Sequence, residues 1–249
     1  MYRTLNNSLP NNFAANPPVC RTNDEVTFTA IQDSILQLWD VVNHLTSIQP
    51  PKRSRYCVTI FGSARLQASD RLYEEVRQLA SELTHLGCDI ITGGGPGLMQ
   101  AANEGSVSAD PQNQTQSIGI RVNLDFEQHT NPYVEQVYNH RTFFSRLHHF
   151  ILMSDAFVVV PGGIGTTLEA LMVWQLLQVG HLADTPLIFV GDMWQTLHQW
   201  AKQSMTEGEY TLANPKDMTL PHCVDRIEEA IALIQHHHQH WQQRPCPLV

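Results

Sequence analysis

Two glycine-rich turns and one carboxylate carry most of the chemical content of this sequence. The first turn is Thr92-Gly93-Gly94-Gly95-Pro96-Gly97-Leu98-Met99, and the second is Pro161-Gly162-Gly163-Ile164-Gly165-Thr166-Thr167. Each follows a short apolar run and opens a stretch of helical periodicity. Glycine permits positive φ and lets a ligand approach the main chain closely. A helix start adds unpaired N–H groups and a partial positive charge, a combination suited to phosphate. Gly94, Gly95, Gly97 and Met99 are therefore expected to line a ligand site together with Gly162, Gly163, Gly165, Thr166 and Thr167. Ser63, in Phe61-Gly62-Ser63-Ala64-Arg65, is expected to add a hydroxyl at the same sheet edge. Neither turn is a dinucleotide fingerprint: counted from Gly93 or Gly95, Leu98 or Gln100 stands where GxGxxG needs its third glycine. No GxxxxGK[ST] is present either. The expected ligand is a nucleoside 5'-monophosphate.

Glu169 stands where a charge is costly. On a helix starting near Gly165, its neighbours at i+3, i+4 and i+7 are Met172, Val173 and Leu176. Leu168, Leu171, Trp174 and Leu177 make the rest of that helix apolar almost all round, which predicts burial. A buried carboxylate needs a partner. Arg146 is the candidate, at the edge of a packing face formed by Phe143, Phe144, Leu147, Phe150 and Ile151. Its helix feeds the strand that ends at Pro161. Glu169 and Arg146 are the expected catalytic pair.

The elements that would position these residues follow from the periodicity. Apolar, β-branched runs predict strands at 56–61, 88–92, 117–122, 156–160 and 187–190. Amphipathic stretches predict helices at 68–86, 98–108, 142–153, 165–179, 193–205 and 224–235. Strands that alternate with helices and are almost continuously apolar predict an α/β fold: a Rossmann-like, doubly wound parallel sheet with helices on both faces. Ligands of such sheets bind outside the carboxyl ends of the strands, where both glycine turns fall.

The 249 residues divide, on this reading, into an Asn- and Pro-rich arm (1–22), a helix and linker (23–53), a nucleotide-binding core (54–210), and a C-terminal helix with a His-rich tail (211–249). A formal net charge of −9 argues against polymeric nucleic acid, which needs a basic footprint. No apolar run approaches bilayer length and no leader opens the chain, so a cytoplasmic location is expected. The five cysteines have no CxxC pairing and are expected to be reduced thiols. His236, His237, His238 and His240 are read as the solvated face of a polar helix, and His148-His149 lacks the HExxH pattern, so no metal is expected.

The stretch Pro161-Gly162-Gly163-Ile164-Gly165-Thr166-Thr167-Leu168-Glu169 fits PGGxGTxxE at every fixed position, and with it the chain resembles the LONELY GUY family of nucleotide phosphoribohydrolases, long labelled lysine decarboxylases. Arg146 falls at the family's distance upstream, and Gly93–Met99, Phe61–Arg65, Glu127-Gln128 and Asn131-Pro132-Tyr133 resemble its longer-chain branch. The similarity spans about residues 56–206. The family's arginine is followed by lysine, whereas Leu147 follows Arg146 here. The resemblance implies hydrolysis of the N-glycosidic bond of an AMP-like or cytokinin riboside monophosphate, giving free base and ribose 5-phosphate, with no cofactor. Glu169 would stabilise the oxocarbenium-like centre, and Arg146 would position the substrate. The family's habit and the apolar helix after the second turn both imply a homodimer or larger assembly. The alternative is a non-catalytic carrier on the same fold, resembling molybdenum-cofactor carrier proteins. The decarboxylase label is rejected: a pyridoxal phosphate enzyme needs a Schiff-base lysine, and Lys52, Lys202 and Lys216 all lie away from the glycine turns.

Overall fold

The computed structural model describes residues 54–122 and 130–243, together with Asp33 and Gln37. The chain divides into two compact units, Met1–Gln49 and Pro50–Val249. In the first, Asp33 and Gln37 are helical and exposed; the remainder of the expected arm, helix and linker lies outside the described residues, as do Glu127 and Gln128.

The second unit runs β1 (Cys57–Phe61), α1 (Arg71–His85), β2 (Asp89–Thr92), α2 (Leu98–Ala109), β3 (Ser117–Val122), β4 (Gln136–His140), α3 (Phe143–Met153), β5 (Ala156–Val159), α4 (Ile164–Gln178), β6 (Leu187–Val190), α5 (Asp192–Met205), a 3-10 turn (Pro215–Thr219), β7 (Pro221–Val224) and α6 (Ile227–Gln243). The sheet has seven strands in the order β4-β3-β2-β1-β5-β6-β7. Every pairing is parallel. The architecture is the doubly wound α/β fold expected from the alternating elements.

Side chains alternate across the sheet, because successive residues of a strand face opposite ways. Val58, Ile60, Ile90, Val158 and Ile188 pack beneath α1, α2 and α6. Cys57, Phe61, Ile91, Phe157 and Phe189 pack beneath α3, α4 and α5. Local signals place the helix ends: Gly87, at φ +84°, follows α1, and the Thr142 side chain accepts a hydrogen bond from Ser145 N at the start of α3.

Three expectations need correction. The sheet has two strands beyond the five predicted. Both are edges: β4 (QVYNH) is only half buried, and β7 (PHCV) opens on a proline. Neither has the continuous apolar run of a strand covered on both faces. Secondly, α4 is not buried all round. Thr166, Glu169, Ala170, Val173 and Trp174 are covered, whereas Ile164, Leu168 and Leu171 are exposed, since only one side of the helix meets the sheet. Thirdly, the histidine run is a solvated face only in part: His236 and His240 are exposed, His237 is half-buried and His238 is buried. Helix α6 continues through it to Gln243, burying His238 and Trp241. His237 Nδ1 lies 2.5 Å from Tyr56 Oη, and Trp241 Nε1 donates to Asp155 Oδ1 at 3.1 Å. Aromatic surface on Tyr56 and Trp241 pulls this turn inward, which composition alone could not reveal. Residues 221–243 thus add an edge strand and a covering helix to the same sheet.

Candidate functional site

The strand order reverses at β1. From there, β2 to β4 extend to one side and β5 to β7 to the other. The carboxyl ends of β1 and β5 therefore diverge into different faces of the sheet, leaving a crevice between them. Three loops meet there, and they interlock. Ser63 N donates to Pro161 O at 3.2 Å, Leu98 N donates to Ser63 O at 2.8 Å, and Thr166 Oγ1 donates to Gly62 O at 3.2 Å. The FGSAR strand end and both glycine turns form one unit.

Gly97 is the hinge of that unit. It has φ +70°, and a Cβ there would fall on Ser63 O and the Ala64 backbone. Both the backbone conformation and the space exclude other residues. Below the first turn lies a buried polar network. Thr92 Oγ1 accepts from Gly94 N (2.9 Å) and donates to Asn103 Oδ1 (2.7 Å). Asn131 Nδ2 donates to Gly95 O and to Asn103 Oδ1, both at 2.9 Å, and Asn103 Nδ2 donates to Ser117 Oγ at 2.9 Å. Each polar group named finds a partner, so the turn is held rigidly.

The second turn is more open. Gly163, Ile164 and Gly165 are exposed at the start of α4, and a Cβ at Gly163 or Gly165 would meet nothing within 4 Å among the described residues. The start of this helix is thus open, beside the buried Thr166. Ser63 Oγ accepts from Arg65 N at 3.1 Å, leaving its own proton to be donated.

Glu169 and Arg146 form an ion pair, Nη1 to Oε1 3.0 Å, with side-chain exposures of 13% for Arg146 and 10% for Glu169. Arg146 is fixed from three sides. Its Nε donates to Ile120 O at 2.9 Å, its Cζ lies 5.2 Å from the centre of the Phe150 ring, and its Nη2 crowds the position of a Cβ on Gly93. The guanidinium therefore spans the space between the first glycine turn and the Glu169 carboxylate. Met99 Sδ crowds the same point on Gly93. Every site residue expected from the sequence lies on one of the three interlocked loops or on this pair.

Sequence reasoning missed Asn103 and Arg121, and gave no role to Thr92 and Asn131, named only as parts of motifs. Asn103 is a lone amide in the small-residue run Ala101-Ala102-Asn103, a signal that was there to be read. Arg121, one residue beyond Ile120, lays its Cγ and Cδ against Gly94 and donates from Nη1 to Thr130 Oγ1 at 2.9 Å. It is a second guanidinium at the turn, in a chain where Leu147 replaces the expected lysine. Beyond Arg146, His140 Nε2 lies 2.8 Å from His149 Nδ1. Burial, and then the charge of Arg146, lowers the His140 pKa. Burial also lowers that of His148, whose Nε2 is enclosed with no hydrogen-bond partner among the described residues. Lys202, on α5, pairs with Glu207 just beyond that helix, and Lys216 lies in the 3-10 turn, so neither stands on a crevice loop.

A doubly wound sheet, two glycine turns at its switch point and a buried Arg–Glu pair beside them make up the candidate site. A family model described as "possible lysine decarboxylase" matches residues 99–234, more than half of the chain, and the protein belongs to that family, which includes the LONELY GUY proteins. No curated protein matches the chain significantly. Among solved structures, it is similar to the structural-genomics protein TM1055 at 20% identity and TM-score 0.55, over 73% of this chain and 99% of that one. The molybdenum cofactor carrier protein of Chlamydomonas reinhardtii is 18% identical, over 74% of this chain and 98% of that one, with TM-score 0.55. The molybdenum cofactor binding protein of the phototrophic bacterium Rippkaea orientalis is likewise 18% identical, over 73% and 96%, with TM-score 0.55. At these identities the likeness establishes the fold alone. Among the described residues, no helix is long and apolar enough to cross a membrane.

Proposed function

We propose that this protein hydrolyses the N-glycosidic bond of a nucleoside 5'-monophosphate. Water adds to C1' of the ribose, the C1'–N bond breaks with its electrons leaving on the base, and the base takes up a proton. The products are free base and ribose 5-phosphate. The observation that carries this reading is the nearly buried carboxylate of Glu169, paired with Arg146 beside the two glycine turns. Such a fixed negative charge stabilises an oxocarbenium-like transition state where water is excluded. The open start of α4, with Gly163, Gly165, Thr166 and Thr167, suits the phosphate. Ser63 and the first turn, with Gly94, Gly95, Gly97 and Met99, line the nucleoside side. Arg146 keeps its proton throughout, so it positions rather than protonates.

A second reading, a carrier that binds without hydrolysis, draws on Leu147 in place of the family's lysine and on the two molybdenum-cofactor proteins that share the fold. Incubation with AMP, GMP, CMP and UMP, followed by chromatography for free base, separates the two. Base release abolished in Glu169→Gln supports the hydrolase. Tight binding with no release, unchanged in Glu169→Ala, supports the carrier.

The exposed row Ile164, Leu168 and Leu171 along α4 supports self-association of the chain beside its site.

A further inference from the structure

The four histidines of α6 are not equivalent. His237 is occupied on both ring nitrogens: Nδ1 meets Tyr56 Oη, and Nε2 meets the Asp184 carbonyl at 2.9 Å. His238 is buried, lies against the Tyr56 ring at 4.9 Å between centroids, and shares a hydrogen bond with Gln242. His236 and His240 remain, both exposed and four residues apart on the outer face. Their rings meet edge-on with centroids 4.6 Å apart, and the two Nε2 atoms stand 3.3 Å from each other.

That spacing has a specific chemical meaning. Two imidazole nitrogens bound 2.0–2.1 Å from one tetrahedral zinc lie about 3.3–3.4 Å apart. The two Nε2 atoms, in hydrogen-bond contact with each other, already sit at the separation of a chelate, so closing it requires the donor ring to carry its proton on Nδ1 instead but no rearrangement of the helix. We infer that His236 and His240 bind one divalent transition-metal ion of the imidazole-preferring class, Zn²⁺, Cu²⁺ or Ni²⁺. Such ions favour imidazole over oxygen-only sites. Among the described residues, no group of three or more His, Cys, Asp or Glu side chains converges, so water fills the remaining positions. The affinity is accordingly that of a two-ligand chelate, not of a closed structural centre.

The ion would clamp the last turns of α6, whose opposite face is bound to the core. Trp241 donates to Asp155, and Asp155 Oδ2 in turn accepts from Cys57 N at 2.9 Å, at the start of β1. The site is independent of the hydrolase reading.

The test uses the full chain, expressed without a polyhistidine tag and titrated calorimetrically with CuCl₂, NiCl₂ and ZnCl₂. One ion per chain is expected. His236→Ala and His240→Ala should each weaken binding by tenfold or more, because each leaves a monodentate ligand. His222→Ala, an exposed histidine on β7, serves as the control and should bind as the unmodified chain does. Both target positions are exposed, and circular dichroism checks that the variants fold. No binding up to millimolar metal overturns the inference. So does affinity within twofold of the unmodified chain in either variant, since the ion would then sit on other histidines.

Discussion

Glu169→Gln is the most informative single change, because it removes a charge while keeping volume and shape. The Arg146 guanidinium would remain, held by Ile120 O and Phe150 but facing an amide. Removing one partner of a buried pair costs about 3–5 kcal/mol, because the other charge is left uncompensated. Both groups are almost fully covered, so little solvent screening reduces that figure. Gln retains a carbonyl acceptor for Nη1, which places it at the low end, near ~3 kcal/mol; Glu169→Ala falls at the high end. For a chain of this size, 1 kcal/mol lowers Tm by about 2–4 °C, giving a fall of about 6–12 °C for Gln. The proposed reaction should suffer separately. Loss of one preorganised electrostatic contact typically lowers kcat by about 10²–10³. Base release from AMP, measured chromatographically below the variant's Tm, reads the second effect; a thermal melt reads the first. Adding Arg146→Met to Glu169→Gln should recover part of the lost stability and none of the activity, because the orphaned charge is gone. If Glu169→Gln keeps activity within tenfold of the unmodified chain, the carboxylate does not act on the transition state and the mechanism fails.

Other outcomes follow from the same structure. Gly97→Ala should lower the urea midpoint by an amount equal to about 2 kcal/mol or more, since φ +70° and the Ser63 carbonyl both oppose a side chain; an unchanged midpoint would show that the turn is not the hinge described. Asn131→Ala removes the side-chain donor to Gly95 O and leaves Asn103 Oδ1 with Thr92 in place of two donors, and should cost about 1–3 kcal/mol. If the network orders the turn for ligand, KM for the monophosphate should rise in Asn131→Ala and be restored in part by Asn131→Ser. Acid should destabilise the protein. Burial lowers the pKa of His237 and His238 from the ordinary 6.5, so the unfolded chain binds more protons as pH falls below that value. Stability is thus complete above pH 6.5 and is lost progressively below it, and Tm measured against pH should flatten when both residues are changed to Gln. Leu168→Glu with Leu171→Glu should convert an oligomer into monomers by light scattering; if the unmodified chain is already monomeric at micromolar concentration, the α4 row is not a self-contact.

How much of this was legible in the sequence depends on what each feature rests on. The five central strands and six helices follow from local pattern. A strand such as YCVTIF or AFVV is apolar on both faces because it will be covered on both. Glycine turns are equally local, since positive φ and close approach are demands that one residue type meets. The Arg146–Glu169 pairing was reachable because a carboxylate on an apolar helix must be neutralised by something.

The rest belonged to tertiary contacts. Strands β4 and β7 take their conformation from a neighbour's unpaired edge, and their own residues say little about it. Thr92, Asn103 and Asn131 are ordinary polar residues, until the chain brings positions 92, 103 and 131 within hydrogen-bonding reach under one turn. The histidines of α6 divide into one buried, one half-buried and two exposed because Tyr56 and Asp155, far away in sequence, pack against one side of that helix. Sequence determined which segments could form elements and where a charge needed a partner. Only the folded chain decided which partner was near, because proximity across tens of residues is set by how the whole sheet packs.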